Sequence, residues 1–89
     1  MPYSITRIEK TPNPDALKFF VDPSPGKIPR SYRTPDEADP ADKLGSGLLA
    51  IPGLRTLLIH DGWFSVVKAQ EADWEDLKPE IERVLGEIG

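Results

Sequence analysis

His60 is the single histidine of the sequence and is followed directly by Asp61, so these two residues are the one acid–base pair on offer. An imidazole beside a carboxylate can move protons, but hydrolytic chemistry also needs a nucleophile that such a base can activate. No serine stands in a pattern that supplies one, and cysteine is absent altogether. The lack of cysteine removes disulfides, thiolate zinc sites, redox pairs and self-contained thiolate ligation of an iron–sulfur cluster. A second group with reactive character is the acidic run Asp36, Glu37, Asp39 and Asp42. These are the ligand types of a hard cation, yet carboxylates at a helix start also suit the helix dipole. The run therefore reads as a solvated helix start, with a weak iron or calcium contact as the alternative. No catalytic residue, metal ligand or cofactor is expected.

Charge and length narrow the classes further. A formal net charge of -4 argues against nucleic acid, because phosphate binding needs clustered Lys and Arg to release counterions. The one basic patch, Lys27 with Arg30 and Arg33, reads as a solvated loop. Hydrophobic content of 38% with 29% charged residues is that of an ordinary globular chain. No apolar run approaches the roughly 18 residues of a membrane helix, so no membrane contact is expected. The start, Met1-Pro2-Tyr3-Ser4, lacks a basic stretch followed by an apolar one, which makes the cytoplasm the expected location. With 89 residues, positions 1–89 are expected to form one small domain.

Binding character appears in two other places. The first is Thr11-Pro12-Asn13-Pro14-Asp15, a corner in which both prolines fix φ and push the residues before them out of the helical region. The corner reads first as a rigid turn that sets strand register; the alternative is a recognition loop, in which Thr11, Asn13 and the nearby Lys18 offer polar groups beside a preorganised backbone. The second is the mixed face of a hairpin. Leu54 to His60 and Trp63 to Lys68 flank Asp61-Gly62, a signal for a two-residue type I′ turn that sets residue 60 opposite 63. Ile59 then faces Phe64 and Leu57 faces Val66, giving a core face. The other face carries Thr56, Leu58, His60, Trp63, Ser65 and Val67, too apolar for plain solvent surface. Thr11, Asn13, Lys18, Leu58 and Trp63 are the candidate partner-binding residues.

The remaining elements must position these groups. Tyr3 to Lys10 reads as a first strand at a sheet edge, with its buried face undecided by spacing. Leu17, Phe19 and Val21 alternate with Lys18 and Phe20 in a second strand, Ala16 to Val21. After a loop over residues 22–30, Ser31-Tyr32-Arg33 forms a short third strand, and Thr34 to Glu37 fits a capping box. Asp39-Pro40 predicts the start of the first helix at Pro40, with Leu44, Leu48 and Ile51 inward and Asp42 and Lys43 toward water. Gly45 and Gly47 weaken that helix unless they permit a close backbone approach. Pro52-Gly53 suits a type II turn. Asp73 caps a second helix whose apolar stripe is Trp74, Leu77, Ile81, Val84, Leu85 and Ile88; a kink or a tighter first turn is expected at Pro79, with the helix continuing to Gly86. The expected fold is α+β: a two-layer sandwich of a mainly antiparallel sheet of four to five strands with two helices on one face, in the order β-β-(β)-α-β-β-α.

Three blocks, Thr11-Pro12-Asn13-Pro14-Asp15-Ala16-Leu17-Lys18-Phe19, Ala50-Ile51-Pro52-Gly53-Leu54, and Asp73-Trp74 with Leu77-Lys78-Pro79, resemble the N-terminal domain of Nfu/NifU-type iron–sulfur scaffold proteins. The similarity spans nearly the whole chain. Gly45-Ser46-Gly47 and Asp39-Pro40 depart mildly from the family's pattern. The resemblance implies an α+β domain that precedes a Cys-x-x-Cys domain in full-length members. This sequence holds no such ligands and looks like a stand-alone version. The expected function is a non-enzymatic protein-interaction module, accessory to iron–sulfur cluster assembly or transfer, whose partner is an assembly or acceptor protein. A regulatory domain binding a small ligand beside the double-proline corner is the alternative, and an enzyme using His60 and Asp61 is a weaker one.

Overall fold

The computed structural model describes residues 3–22, 24–26 and 28–87, so Lys27 and Ile88, named above, lie outside the described residues. Five strands form one sheet: β1 (Ser4–Lys10), β2 (Ala16–Asp22), β3 (Arg30–Tyr32), β4 (Leu54–His60) and β5 (Trp63–Lys68). Their spatial order is β1-β2-β5-β4-β3, and every neighbouring pair is antiparallel. Helices α1 (Lys43–Leu49) and α2 (Trp74–Glu87) complete the fold, with one turn of 3-10 helix at Pro35–Glu37. The architecture is the expected α+β sandwich, with β1 at one edge.

The core follows from strand alternation. Leu17, Phe19 and Val21 of β2, Leu57 and Ile59 of β4, and Phe64 and Val66 of β5 all point to one face and are buried. Leu44, Leu48 and Leu49 of α1 and Leu77, Ile81, Val84 and Leu85 of α2 join them in a single apolar cluster. At its centre the Phe19 and Phe64 rings stack with centroids 5.3 Å apart. Both helices thus cover the same face, and the other face of the sheet has no layer over it among the described residues.

β1 explains its own ambiguity. Ile5 pairs with Val21 but Arg7 pairs with Phe20, so the register slips by one residue at Thr6. A bulge of this kind sends the side chains on either side of it out of simple alternation. No single periodicity could have assigned the buried face of that strand.

Two local expectations are corrected. First, α1 begins at Lys43 and not at Pro40, because Asp42 is the residue that caps it: Asp42 Oδ1 accepts from the Gly45 amide at 3.0 Å. Asp39 instead closes a tight turn ahead of it, accepting from the Ala41 amide at 2.9 Å. Asp42 therefore does not face water. Its other oxygen accepts the Tyr32 hydroxyl at 2.7 Å and lies 2.9 Å from Arg30 Nε. Arg30 is accordingly part of a half-buried ion pair and not of a solvated basic patch. Gly45 lets this cluster close, since a Cβ there would sit 2.7 Å from both Asp42 Oδ2 and Tyr32 Cε2.

Second, the hairpin keeps the expected pairing of His60 with Trp63, Ile59 with Phe64 and Leu57 with Val66, but its turn is not type I′. Only Gly62 has a positive φ, +86°, whereas type I′ needs it at both central positions. The β2–β3 loop accounts for the difference: Ser24 Oγ donates to Asp61 Oδ1 at 2.6 Å and accepts from the Gly62 amide at 3.0 Å. As expected, α2 continues past Pro79, from Trp74 to Glu87. Asp73 does cap it, accepting from the Glu75 amide at 3.0 Å. The Pro52-Gly53 turn is as expected, with Gly53 at φ +100° and the Leu54 amide donating to Ile51 O at 3.2 Å.

The Tyr32–Asp42 contact has a measurable consequence. Burial first, and then the hydrogen bond to Asp42, raise the phenol above its ordinary value of 10.0. The unfolded chain therefore loses that proton first as pH climbs. The resulting stabilisation is complete below pH 10.0 and is lost as pH rises from there through the folded-state value. Chemical denaturation followed across this range should show stability falling in the wild type, with a smaller alkaline decline in Tyr32→Phe. Equal slopes in the two proteins would contradict the assignment.

Candidate functional site

Strand register arranges the uncovered face of the sheet in rows. One row runs Arg7, Phe20, Trp63, His60 across β1, β2, β5 and β4. The next runs Glu9, Lys18, Ser65, Leu58, Ser31, and a third holds Ala16, Val67 and Thr56. Phe20, Trp63, Leu58 and Val67 are all half-buried, so each ring or branched chain keeps solvent-facing surface. Lys18 Nζ lies 4.1 Å from the Trp63 ring centroid and 5.1 Å from that of Phe20. Arg7 Cζ covers the opposite part of the row, 4.3 Å from the Phe20 centroid. His60 stacks flat on Trp63, with centroids 4.9 Å apart and planes 4° from parallel.

This is a run of alternating cations and π-faces. Each exposed cation–π contact is worth about 0.5–1 kcal/mol, and together they hold side chains that would otherwise sample many rotamers. The chemistry it offers is recognition: flat apolar area with positive charge at two edges. Arg7 also meets Glu9 at 3.1 Å, an exposed pair that leaves Lys18 as the face's cation without a carboxylate within 4.0 Å among the described residues.

Of the five candidate residues, the structure brings Lys18, Leu58 and Trp63 together on this face. Thr11 and Asn13 lie elsewhere, in the β1–β2 corner. There the Thr11 hydroxyl is within hydrogen-bonding distance of Asn13 O at 2.9 Å and Ala16 O at 3.2 Å, and Asn13 Oδ1 accepts from the Asp15 amide at 3.0 Å. Asp15 ties the corner to β5 through Lys68 Nζ at 2.9 Å, and Trp74 Nε1 donates to Pro14 O at 3.3 Å. Alanine at Thr11 or Asn13 would thus perturb the turn as well as any contact it makes. Arg7 and Phe20 were missed as site residues. Phe20 was within reach of sequence reasoning, since it alternates with buried Leu17, Phe19 and Val21; Arg7 was not, because only the bulge at Thr6 puts it opposite Phe20.

The acid–base pair is drawn apart in use. His60 lies against Trp63, while the Asp61 carboxylate accepts from Ser24. The acidic run is likewise divided, with Asp42 turned in toward Tyr32 and Arg30. Among the described residues, no three His, Cys, Asp or Glu side chains converge as metal ligands would. No helix among them is long and apolar enough to cross a membrane.

Known proteins share this fold. Among solved structures, the crystal structure of protein SAV1430 from Staphylococcus aureus superposes with a TM-score of 0.74 at 28% identity, covering 90% of this chain and 95% of that one. A NifU-like protein from Saccharomyces cerevisiae gives 0.72 at 26% identity, covering 96% and 76%. Among curated sequences, human NFU1 iron-sulfur cluster scaffold homolog, mitochondrial, is 34% identical over 84 residues, 89% of this chain and 32% of that protein. Conserved virulence factor C of Staphylococcus aureus strain MRSA252 is 33% identical over 78 residues, 86% of this chain and 20% of that protein. The chain thus spans a third or less of these two curated relatives. Residues 5–88 match the family described as scaffold protein Nfu/NifU N terminal. The chain belongs to the Nfu/NifU N-terminal domain family.

Proposed function

We propose that this domain is a non-enzymatic protein-interaction module serving iron–sulfur cluster assembly or transfer, and that it meets its partner through the uncovered face of the sheet. Family membership and the scaffold relative support the first half of the reading. These 89 residues contain no cysteine, so a cluster held through thiolates has to sit on another polypeptide segment or another protein. The observation that carries the second half is the Lys18–Trp63 contact at 4.1 Å on a half-buried aromatic row. Tryptophan, tyrosine and arginine dominate interface energetics, and side chains held in place before binding lose little entropy on contact. The partner is a cluster assembly or acceptor protein.

The test is affinity capture from native extract with wild-type protein and two variants, Lys18→Glu and Trp63→Ser. Wild type should enrich a cysteine-rich assembly or acceptor protein, and each variant should lose roughly tenfold of that capture, as removal of an interface anchor does. Both variants should melt within a few degrees of wild type, because neither side chain reaches the core. Undiminished capture by both would remove the sheet face from the proposal, and capture of only unrelated proteins would remove the cluster-assembly role.

A further inference from the structure

A second feature lies on the helix side of the sheet, away from the aromatic row. Where β1 ends, the double-proline corner and the first turns of α2 enclose a cavity of about 380 Å³. Pro12, Pro14, Leu17 and Trp74 give it apolar walls, and Lys10 and Lys78 stand at its border. No carboxylate lines it. Neither Lys10 nor Lys78 has an acidic partner within 4.0 Å among the described residues, whereas Arg7, Arg30, Lys68 and Arg83 all do. In a chain of net charge -4, two unpaired ammonium groups beside one apolar hollow form a local exception.

The walls are rigid as well as apolar. The prolines have no free φ, and the Trp74 indole is fixed at both ends: its N–H meets Pro14 O at 3.3 Å and its ring tilts against Phe19 at 6.4 Å between centroids. Cavities that bind small groups are typically about 300–1,000 Å³, mostly apolar, with a few placed polar groups that fix orientation. A preformed site of this kind binds without much ordering of its own side chains.

From this arrangement we infer that the corner cavity binds a carboxylate carried on a flat apolar group, with the apolar part against Trp74 and the prolines and the carboxylate between Lys10 and Lys78. Two sources present that chemistry: a free aromatic acid, or the C-terminal residue of a partner chain. The site is separate from the sheet face, so the inference stands or fails independently of the proposed interaction surface.

The experiment uses isotope-labelled wild-type protein and three probes followed by NMR: 3-phenylpropionate, the peptide acetyl-Ala-Ala-Ala-Phe with a free C-terminus, and the same peptide as its C-terminal amide. At least one carboxylate probe should shift the Trp74 indole N–H and the corner amides with a dissociation constant on the order of 1 mM or below, while the Trp63 indole stays unmoved. The amide should bind at least about tenfold more weakly than the free-acid peptide if the peptide is the ligand. Response to 3-phenylpropionate but not to the acid peptide assigns a free small acid, and the reverse assigns a chain terminus. Lys10→Gln with Lys78→Gln should lower affinity about tenfold and leave the Trp74–Pro14 contact and the melting temperature in place, since both side chains are exposed. Absence of Trp74 shifts with both acids, equal binding of acid and amide peptides without response to phenylpropionate, or undiminished affinity in the double variant would each overturn the inference.

Discussion

Phe64→Ala is expected to destabilise the domain by about 3–5 kcal/mol, a fall in melting temperature on the order of 15 °C or more for a chain of this size. Phe64 is fully buried and stacks on Phe19 at 5.3 Å, so truncation leaves a cavity at the meeting point of sheet and helices. Its neighbour Trp63 is larger, yet Trp63→Ser should cost about 1 kcal/mol or less, because the lost contacts are cross-strand and partly hydrated. Thermal and urea denaturation of the two variants side by side provide the check. A comparable loss at both positions would show that the aromatic row is structural, and would weaken the case for it as a contact surface. A small loss at Phe64 would mean that the core face has been misassigned.

The second large effect belongs to Asp42. Its carboxylate caps α1, accepts the Tyr32 hydroxyl and faces Arg30, so one side chain joins β3 to the helix start. Asp42→Ala removes a cap worth about 0.5–2 kcal/mol and leaves a half-buried guanidinium and a phenol without their partner. The combined cost should be about 2–4 kcal/mol, lowering the melting temperature by roughly 10 °C or more. Asp42→Asn keeps one oxygen, enough for the Gly45 cap, but sets an NH2 donor where Oδ2 met Tyr32 and Arg30, and should recover only the capping part, about 0.5–2 kcal/mol. Equal melting of both variants and wild type would show that the cluster contributes nothing net, an outcome open to ion pairs near a surface.

Legibility differed sharply between elements. The β4–β5 pairing could be written down residue by residue, because a two-residue connection leaves one register and the alternating pattern leaves one inward face. The turn type inside that connection could not. It depends on Ser24, 37 residues away in the chain, which holds Asp61 in place. The start of α1 misled for a similar reason. Asp39-Pro40 is a good local start signal, but Asp42 has Tyr32 and Arg30 to meet, and tertiary partners outweighed a preference worth about 1 kcal/mol. The family resemblance rested on blocks that the structure shows to be joints: the corner holds β1 to β2 and, through Asp15, to β5, while Gly53 turns α1 into β4.

By itself the sequence determined the secondary-structure types, the core face of three strands and both helices, the absence of thiolate chemistry and the family. All of these depend on residue type and short-range periodicity, which the chain carries locally. Only the tertiary structure decided which residues outside the hairpin share its mixed face. It added Lys18, Phe20 and Arg7 to the face that carries Leu58, Trp63 and His60, since β2 pairs with β5 although 43 residues separate Phe20 from Trp63, and the bulge in β1 sets Arg7 opposite Phe20. It also closed a cavity from the β1–β2 corner and the start of α2, more than 55 residues apart, joined by the 60-residue span of the Trp74–Pro14 hydrogen bond. Contacts of that range form only when the whole sheet has twisted and packed, and no local pattern encodes them.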